Sequence, residues 1–241
     1  MGVTAFCFAQ RALRRLDKLS AENEVAPQFG LLLIFTEMAV IGITGGISTG
    51  KTSFCECLRE ILPAAKFFDA DQAAHQLVDL DLEVKREIRR EFGSAIFSGD
   101  QELNREELRH IVFANAAKRR ALEQILHPRI RHQWSTEAET HRNSPDFFFA
   151  DIPLLYETGG EKLCDRVVVV ACSYRTQLRW LMERTSLEHF AAEQMINSQM
   201  PLDEKIRRAD HVVWNNGARA ALAEQAHGLV ALWQKQSWTK S

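Results

Sequence analysis

Charge of a single sign is what this sequence most clearly lacks. Its 30 Lys and Arg face 32 Asp and Glu, for a formal net charge of -2 over 241 residues. That balance argues against a protein that coats nucleic acid. Cysteine is sparse and unpatterned: there are five, and no C-x-x-C occurs. This speaks against a disulfide framework and a thiolate metal site, and for thiols buried or idle in a reducing cytosol. Long apolar runs are missing too. Leu31-Leu32-Leu33-Ile34-Phe35, closed by Thr36-Glu37, is far too short to cross a bilayer. A secretory signal would carry its apolar core nearer the start, with a small-residue cleavage site after it. No internal repeat and no low-complexity tract is visible. The expectation is a cytoplasmic chain that uses neither membrane nor nucleic acid.

The length suits one compact domain with its own core. Residues 1–37 read differently from the rest, with Arg11, Arg14 and Arg15 followed by a mixed-charge stretch. Met38 stands directly before the first core strand. The expected organisation is a dispensable extension over 1–37 and one domain over 38–241.

What is present is a phosphate-binding loop. Gly45-Gly46-Ile47-Ser48-Thr49-Gly50-Lys51-Thr52 fits G-x-x-x-x-G-K-[ST] without a mismatch. Val40-Ile41-Gly42-Ile43-Thr44 before it is apolar and partly β-branched, as a buried strand should be. After it, Phe54, Leu58, Ile61 and Leu62 share one helical face, and Pro63 ends the helix. A strand–loop–helix context makes the motif credible. Glycines let backbone approach a polyphosphate, and loop N–H groups and the helix dipole point at the anion. Lys51 would reach the β- and γ-phosphates of ATP, and the Thr52 hydroxyl would hold a bridging Mg²⁺.

Further strands are expected at Lys66–Asp71, Phe147–Ile152, Arg166–Ala171 and His211–Trp214. The third and fourth strands, continuous and apolar, suit a parallel sheet buried on both faces. Helices are expected over Gln72–Phe92, from a cap at Asn104, over Ala116–Leu126, on to His141, over Thr176–Arg184, over Leu187–Gln199 and over Arg219–Gln234. His127-Pro128 reads as a helix break, and 94–103 as a turn-rich connection around Ser98-Gly99-Asp100. Five strands separated by helices, with the loop after the first, give an α/β protein with a five-stranded parallel sheet. The helical stretch at about 72–142 exceeds what a crossover needs and is a candidate substrate-binding insertion. The helix pair at about 175–200 is a candidate lid.

Asp69 and Asp71 end the second strand, and alternation puts both carboxylates on one side. They are either a proton acceptor and Mg²⁺ organiser or a plain helix cap. Arg105 and Arg109, four apart on one helix, are either an anion clamp or a solvated face. Arg179 and Arg184 are either lid cations or surface charge.

These stretches together resemble the dephospho-CoA kinase family. The match runs through Gly42–Thr52, Asp69-Ala70-Asp71 with His75, and Leu103-Asn104-Arg105 with Leu108-Arg109. It continues with Leu126-His127-Pro128, Asp151–Gly159, Gln199-Met200-Pro201-Leu202 with Lys205, and Ala209-Asp210 leading to Asn215-Asn216-Gly217. The resemblance implies a P-loop kinase fold with a helical CoA-binding insertion and a lid. It implies ATP-dependent phosphorylation of the ribose 3′-hydroxyl of dephospho-CoA with Mg²⁺, in a chain for which a monomer is favoured. It makes Asp71 the general base beside Lys51, and Thr44, Asp69, Arg105, Arg109 and His127 acceptor contacts. Residues 45–53, with Ser53 closing the loop set, would hold ATP, together with Arg184 on the lid and Asn216 near the adenine. Ser48 and Trp180 depart from the family pattern, which usually has Gly and often Arg there, and Thr185 replaces a usual Asp. Another P-loop kinase is the alternative within enzymes. A nucleotide switch is the alternative outside them, though the guanine-reading Asn-Lys-x-Asp is absent.

Overall fold

The computed structural model describes residues 39–98, 102–142 and 144–235. The extension over 1–37 and the turn at Gly99-Asp100 lie outside them.

Five strands form one parallel sheet: β1 (Val40–Gly45), β2 (Lys66–Asp69), β5 (Phe148–Asp151), β6 (Arg166–Ala171) and β7 (His211–Trp214), in the order β2-β5-β1-β6-β7. The register sets Ile43 beside Asp151 and Thr44 beside Val169. Strand alternation sorts the apolar side chains onto two faces. Ile41, Ile43, Phe149, Val168 and Val170 face α1 (Lys51–Ile61) and α9 (Arg219–Trp233), with Phe54, Leu58, Leu222 and Trp233 filling that layer. Val40, Phe68, Phe148, Ala150 and Val169 face the other helices. β1, buried along its whole length, is the central strand, and it ends in the phosphate loop.

The insertion consists of α2 (Ala70–Leu80), α3 (Leu82–Phe92), a hairpin of β3 (Phe97–Ser98) and β4 (Glu102–Leu103), α4 (Arg105–Ala114) and α5 (Ala116–His141). Three sequence expectations change here. The helix expected over 72–92 is two helices. Asp81, in extended conformation, ends the first and caps the second, its carboxylate accepting the Glu83 and Val84 N–H groups. The connection at 94–103 carries the short hairpin instead of turns alone. His127-Pro128 does not break the chain's longest helix, which runs on through Pro128. Proline removes one i→i−4 bond, but Leu126, Ile130 and Trp134 are buried on either side and hold the helix in place. The adjacent Ile125 carbonyl receives Nη1 of Arg129 at 2.7 Å. Asn104 caps α4 as expected, accepting the Glu107 N–H at 3.1 Å.

The candidate lid is α6 (Tyr174–Thr185) and α7 (His189–Asn197), joined by Ser186 in the left-handed region. Leu178, Leu181 and Ala192 form its small core, and Ile47 of the phosphate loop packs against it. A short helix unforeseen in the sequence, α8 (Leu202–Arg208), leads from the lid into β7.

Candidate functional site

The phosphate loop is held from outside as much as by its own sequence. Gly50 sits at φ 90°, and a Cβ there would collide with the Asn215 side-chain amide. That amide donates to the Thr49 carbonyl at 3.1 Å, and Thr49 Oγ1 donates to the Gly46 carbonyl at 2.9 Å. Both polar groups of the Ile47 residue are taken by glutamines on or just after the candidate lid helices. Gln177 on α6 donates to its carbonyl at 2.9 Å, and Gln199 accepts its N–H at 3.0 Å. A Cβ at Gly46 would run into Gln177. Ser48 takes φ 57°, and its Oγ is buried with no partner among the described residues. Lys51, Thr52 and Ser53 make the first turn of α1, with Lys51 half-buried and Thr52 exposed.

The two carboxylates of the Asp-x-Asp stretch do not share a strand end. Asp69 closes β2 and caps α2, accepting the Gln72 N–H at 2.9 Å. The helix has begun by Asp71, so strand alternation no longer applies to it. Asp71 is exposed and lines a cavity of about 620 Å³ beside the sheet's carboxyl edge. That edge is where doubly wound folds bind ligands. His127, Leu126, Trp134, Arg119, Pro153 and Glu157 line the same cavity. Thr44 stands behind this wall, fully buried, its hydroxyl donating to the Pro153 carbonyl at 3.0 Å.

The arginines differ in their surroundings. Arg105 is ion-paired with Asp79, and neither it nor Arg109 lines the cavity. Arg131 lines it but spends its guanidinium on the Thr158 and Gly159 carbonyls, at 2.7 and 3.4 Å. Arg119 lines it, and its guanidinium has no ion pair or hydrogen bond among the described residues. Its signal in the sequence was weak, because the side chain is one of several basic groups along α5. On the lid, Arg179 pairs with Glu183 at 3.9 Å and Arg184 is exposed. Asn216 accepts the Ser173 N–H at 2.7 Å, tying the turn after β7 to the start of α6.

In the sequence Asp151 stands only within the Asp151–Gly159 stretch. It ends β5 next to β1, and its Oδ1 is buried without a partner among the described residues. Burial pushes its carboxyl up to about 6 against the pull of Lys51, and Asp69 and Asp71 push the same way. Lys51, Asp69 and Asp71 therefore each lie within electrostatic reach of Asp151. An apolar strand ending in Asp beside a phosphate loop was the signal available for it.

The family model for dephospho-CoA kinase matches residues 39–221. A dephospho-CoA kinase of Bacillus cereus is 37% identical over 195 residues, 80% of this chain and 96% of its own length. One from Anaeromyxobacter dehalogenans is 42% identical over 195 residues, 80% of this chain and 92% of its own length. Among solved structures, dephospho-CoA kinase from Campylobacter jejuni superposes with a TM-score of 0.63 at 25% identity, covering 81% of this chain and 97% of that one. TT1252 from Thermus thermophilus superposes with a TM-score of 0.69 at 28% identity, covering 83% and 100%. With its five-stranded parallel sheet, its phosphate loop and these matches, the chain belongs to the dephospho-CoA kinase family, P-loop kinases that catalyse the final step of coenzyme A biosynthesis.

Proposed function

We propose that this chain moves the γ-phosphoryl group of ATP to the ribose 3′-hydroxyl of dephospho-CoA, with Asp71 as the base. The observation that carries the reading is Asp71 on the wall of a cavity whose Pro153 accepts a hydrogen bond from Thr44, the residue just before the phosphate loop. The ribose hydroxyl donates its proton to the Asp71 carboxylate as its oxygen attacks the γ-phosphorus, and ADP leaves in line. Lys51 and the loop N–H groups within residues 45–53, other than that of Ile47, which Gln199 accepts, hold the β- and γ-phosphates. Asn216 flanks the adenine, and Arg184 is the lid cation. His127 and Arg119 hold the acceptor inside the cavity, Arg105 and Arg109 contact it outside, and Thr44 and Asp69 brace its wall.

Mg²⁺ fits the residues present. Thr52 offers an exposed hydroxyl at the start of α1, and Asp151 keeps an unpartnered carboxylate oxygen. These are the hard oxygen donors this cation takes alongside phosphates and waters. Held by Thr52 and Asp151, the cation would supply positive charge to offset the negative charge that develops in transfer. The insertion over about 72–142 is the acceptor domain and 175–200 the lid. No helix among the described residues is long and apolar enough to cross a membrane. A cytoplasmic monomer completes the proposal.

Coupled measurement of ADP release tests it. ATP alone should turn over slowly, because the lid and acceptor domain keep water out until the acceptor binds. Dephospho-CoA should raise the rate sharply. Equal stimulation by a nucleoside monophosphate, with none by dephospho-CoA, would sink the assignment.

A further inference from the structure

Lys205 on α8 has no exposed surface. An ammonium taken out of water costs several kcal/mol unless its hydrogen bonds are fully replaced. Here all three are. Nζ donates to the Gly45 carbonyl at 3.2 Å and the Pro153 carbonyl at 2.8 Å, and pairs with Glu157 Oε1 at 2.9 Å. Burial holds the ammonium below the usual lysine range, Glu157 draws it back up, and the nearby Lys51 charge adds to the depression.

The three acceptors belong to two different sites. Gly45 is the last residue of β1, the root of the phosphate loop. Pro153 and Glu157 line the acceptor cavity. Neighbouring bonds repeat the pattern: Gln199 holds the Ile47 N–H in the loop, while the Met200 N–H donates to Glu157 at 3.0 Å on the cavity wall. An aliphatic side chain would fill the space under β1 without the desolvation cost. The ammonium does what an aliphatic group cannot, which is to bond both sites at once.

We propose that Lys205 is a positioning residue that joins the root of the phosphate loop to the acceptor wall, so that Glu157 on one site sets nucleotide placement on the other. The inference rests on the two-substrate reading above and deepens it.

The test is a double-mutant cycle of Lys205→Met and Glu157→Gln, reading kcat, both KM values and nucleotide affinity by calorimetry without acceptor. Glu157→Gln should weaken nucleotide binding about threefold or more, although Glu157 lines the acceptor cavity. Lys205→Met should lower kcat about tenfold or more, the scale of a misplaced reacting group. In the Lys205→Met background the nucleotide effect of Glu157→Gln should vanish, as expected of partners that act as one unit. A space-filling lysine would give no such cross-site effect. The proposal is overturned if Glu157→Gln alters the acceptor KM alone, or if its nucleotide effect persists undiminished beside Lys205→Met. Should Lys205→Met fail to fold, the Glu157→Gln calorimetry decides by itself. A wild-type enzyme inert to dephospho-CoA sinks the function reading. Unchanged nucleotide affinity in Glu157→Gln sinks this one.

Discussion

The phosphate loop and the acceptor cavity lie side by side but are built in opposite ways. The loop is one run of consecutive residues between β1 and α1, and its chemistry is mostly backbone N–H. The cavity takes Asp71 from α2, Arg119 and His127 from α5 and Pro153 and Glu157 from the segment after β5. Its chemistry is all side chain. A backbone device needs a local sequence signature, because only certain residues allow its φ and ψ. A side-chain pocket needs only that the fold bring its members together. On the proposed function, the loop binds the nucleotide phosphates and the cavity selects what receives the phosphoryl group.

If that division holds, variants in the two regions fail differently. Lys51→Ala should be the most severe. It should cost roughly 3 kcal/mol or more of transition-state stabilisation with the fold intact, the scale of one key electrostatic contact. Near wild-type turnover would mean that the loop is not catalytic. Arg119→Ala should raise the acceptor KM about tenfold or more and leave the nucleotide KM alone, as loss of a charge-assisted hydrogen bond of about 1.5–3 kcal/mol would do. Arg105→Ala should do less, since Asp79 already holds that guanidinium. The reverse ranking would return the anion contact to Arg105. Ser48→Gly should raise the melting temperature. A non-glycine residue at φ 57° carries a strain of about 1–2 kcal/mol that glycine does not. A lower melting temperature would mean that Ser48 Oγ finds a partner worth more than the strain. The smallest effect is expected from a chain that starts at Met38, which should fold and keep near full activity, since the family match begins at residue 39. A large fall in melting temperature would show that the extension packs on the core.

The sequence was most readable where local physics acts alone. Apolar runs located the sheet, and Asn104 located the start of α4. It misled at Pro128, where packing by Leu126, Ile130 and Trp134 outweighs one lost helix bond. It also misled at Asp81, whose cap splits a helical pattern that periodicity alone would join. In the site, the motif supplied the loop and Asp71. It could not show that Gln177, Gln199, Asn215 and Lys205 hold the loop, because those bonds span more than a hundred residues. Nor could it show that Arg119 lines the cavity and Arg105 does not, since both are arginines on helices and only the fold tells them apart.

The measurement that bears most directly on the central claim compares Asp71→Asn with Asp69→Asn, reading turnover and nucleotide affinity together. Asp71 faces the cavity, and its replacement keeps the shape while removing the proton acceptor. Turnover should fall about 10²- to 10⁴-fold, the usual cost of losing a general base, with ATP affinity nearly unchanged. Asp69 caps α2, so Asp69→Asn should cost far less turnover and at most some stability, asparagine being a competent cap. An inactive Asp69→Asn beside an active Asp71→Asn would reverse the assignment. Full activity in both would contradict base catalysis at this site and leave transfer to positioning and charge alone.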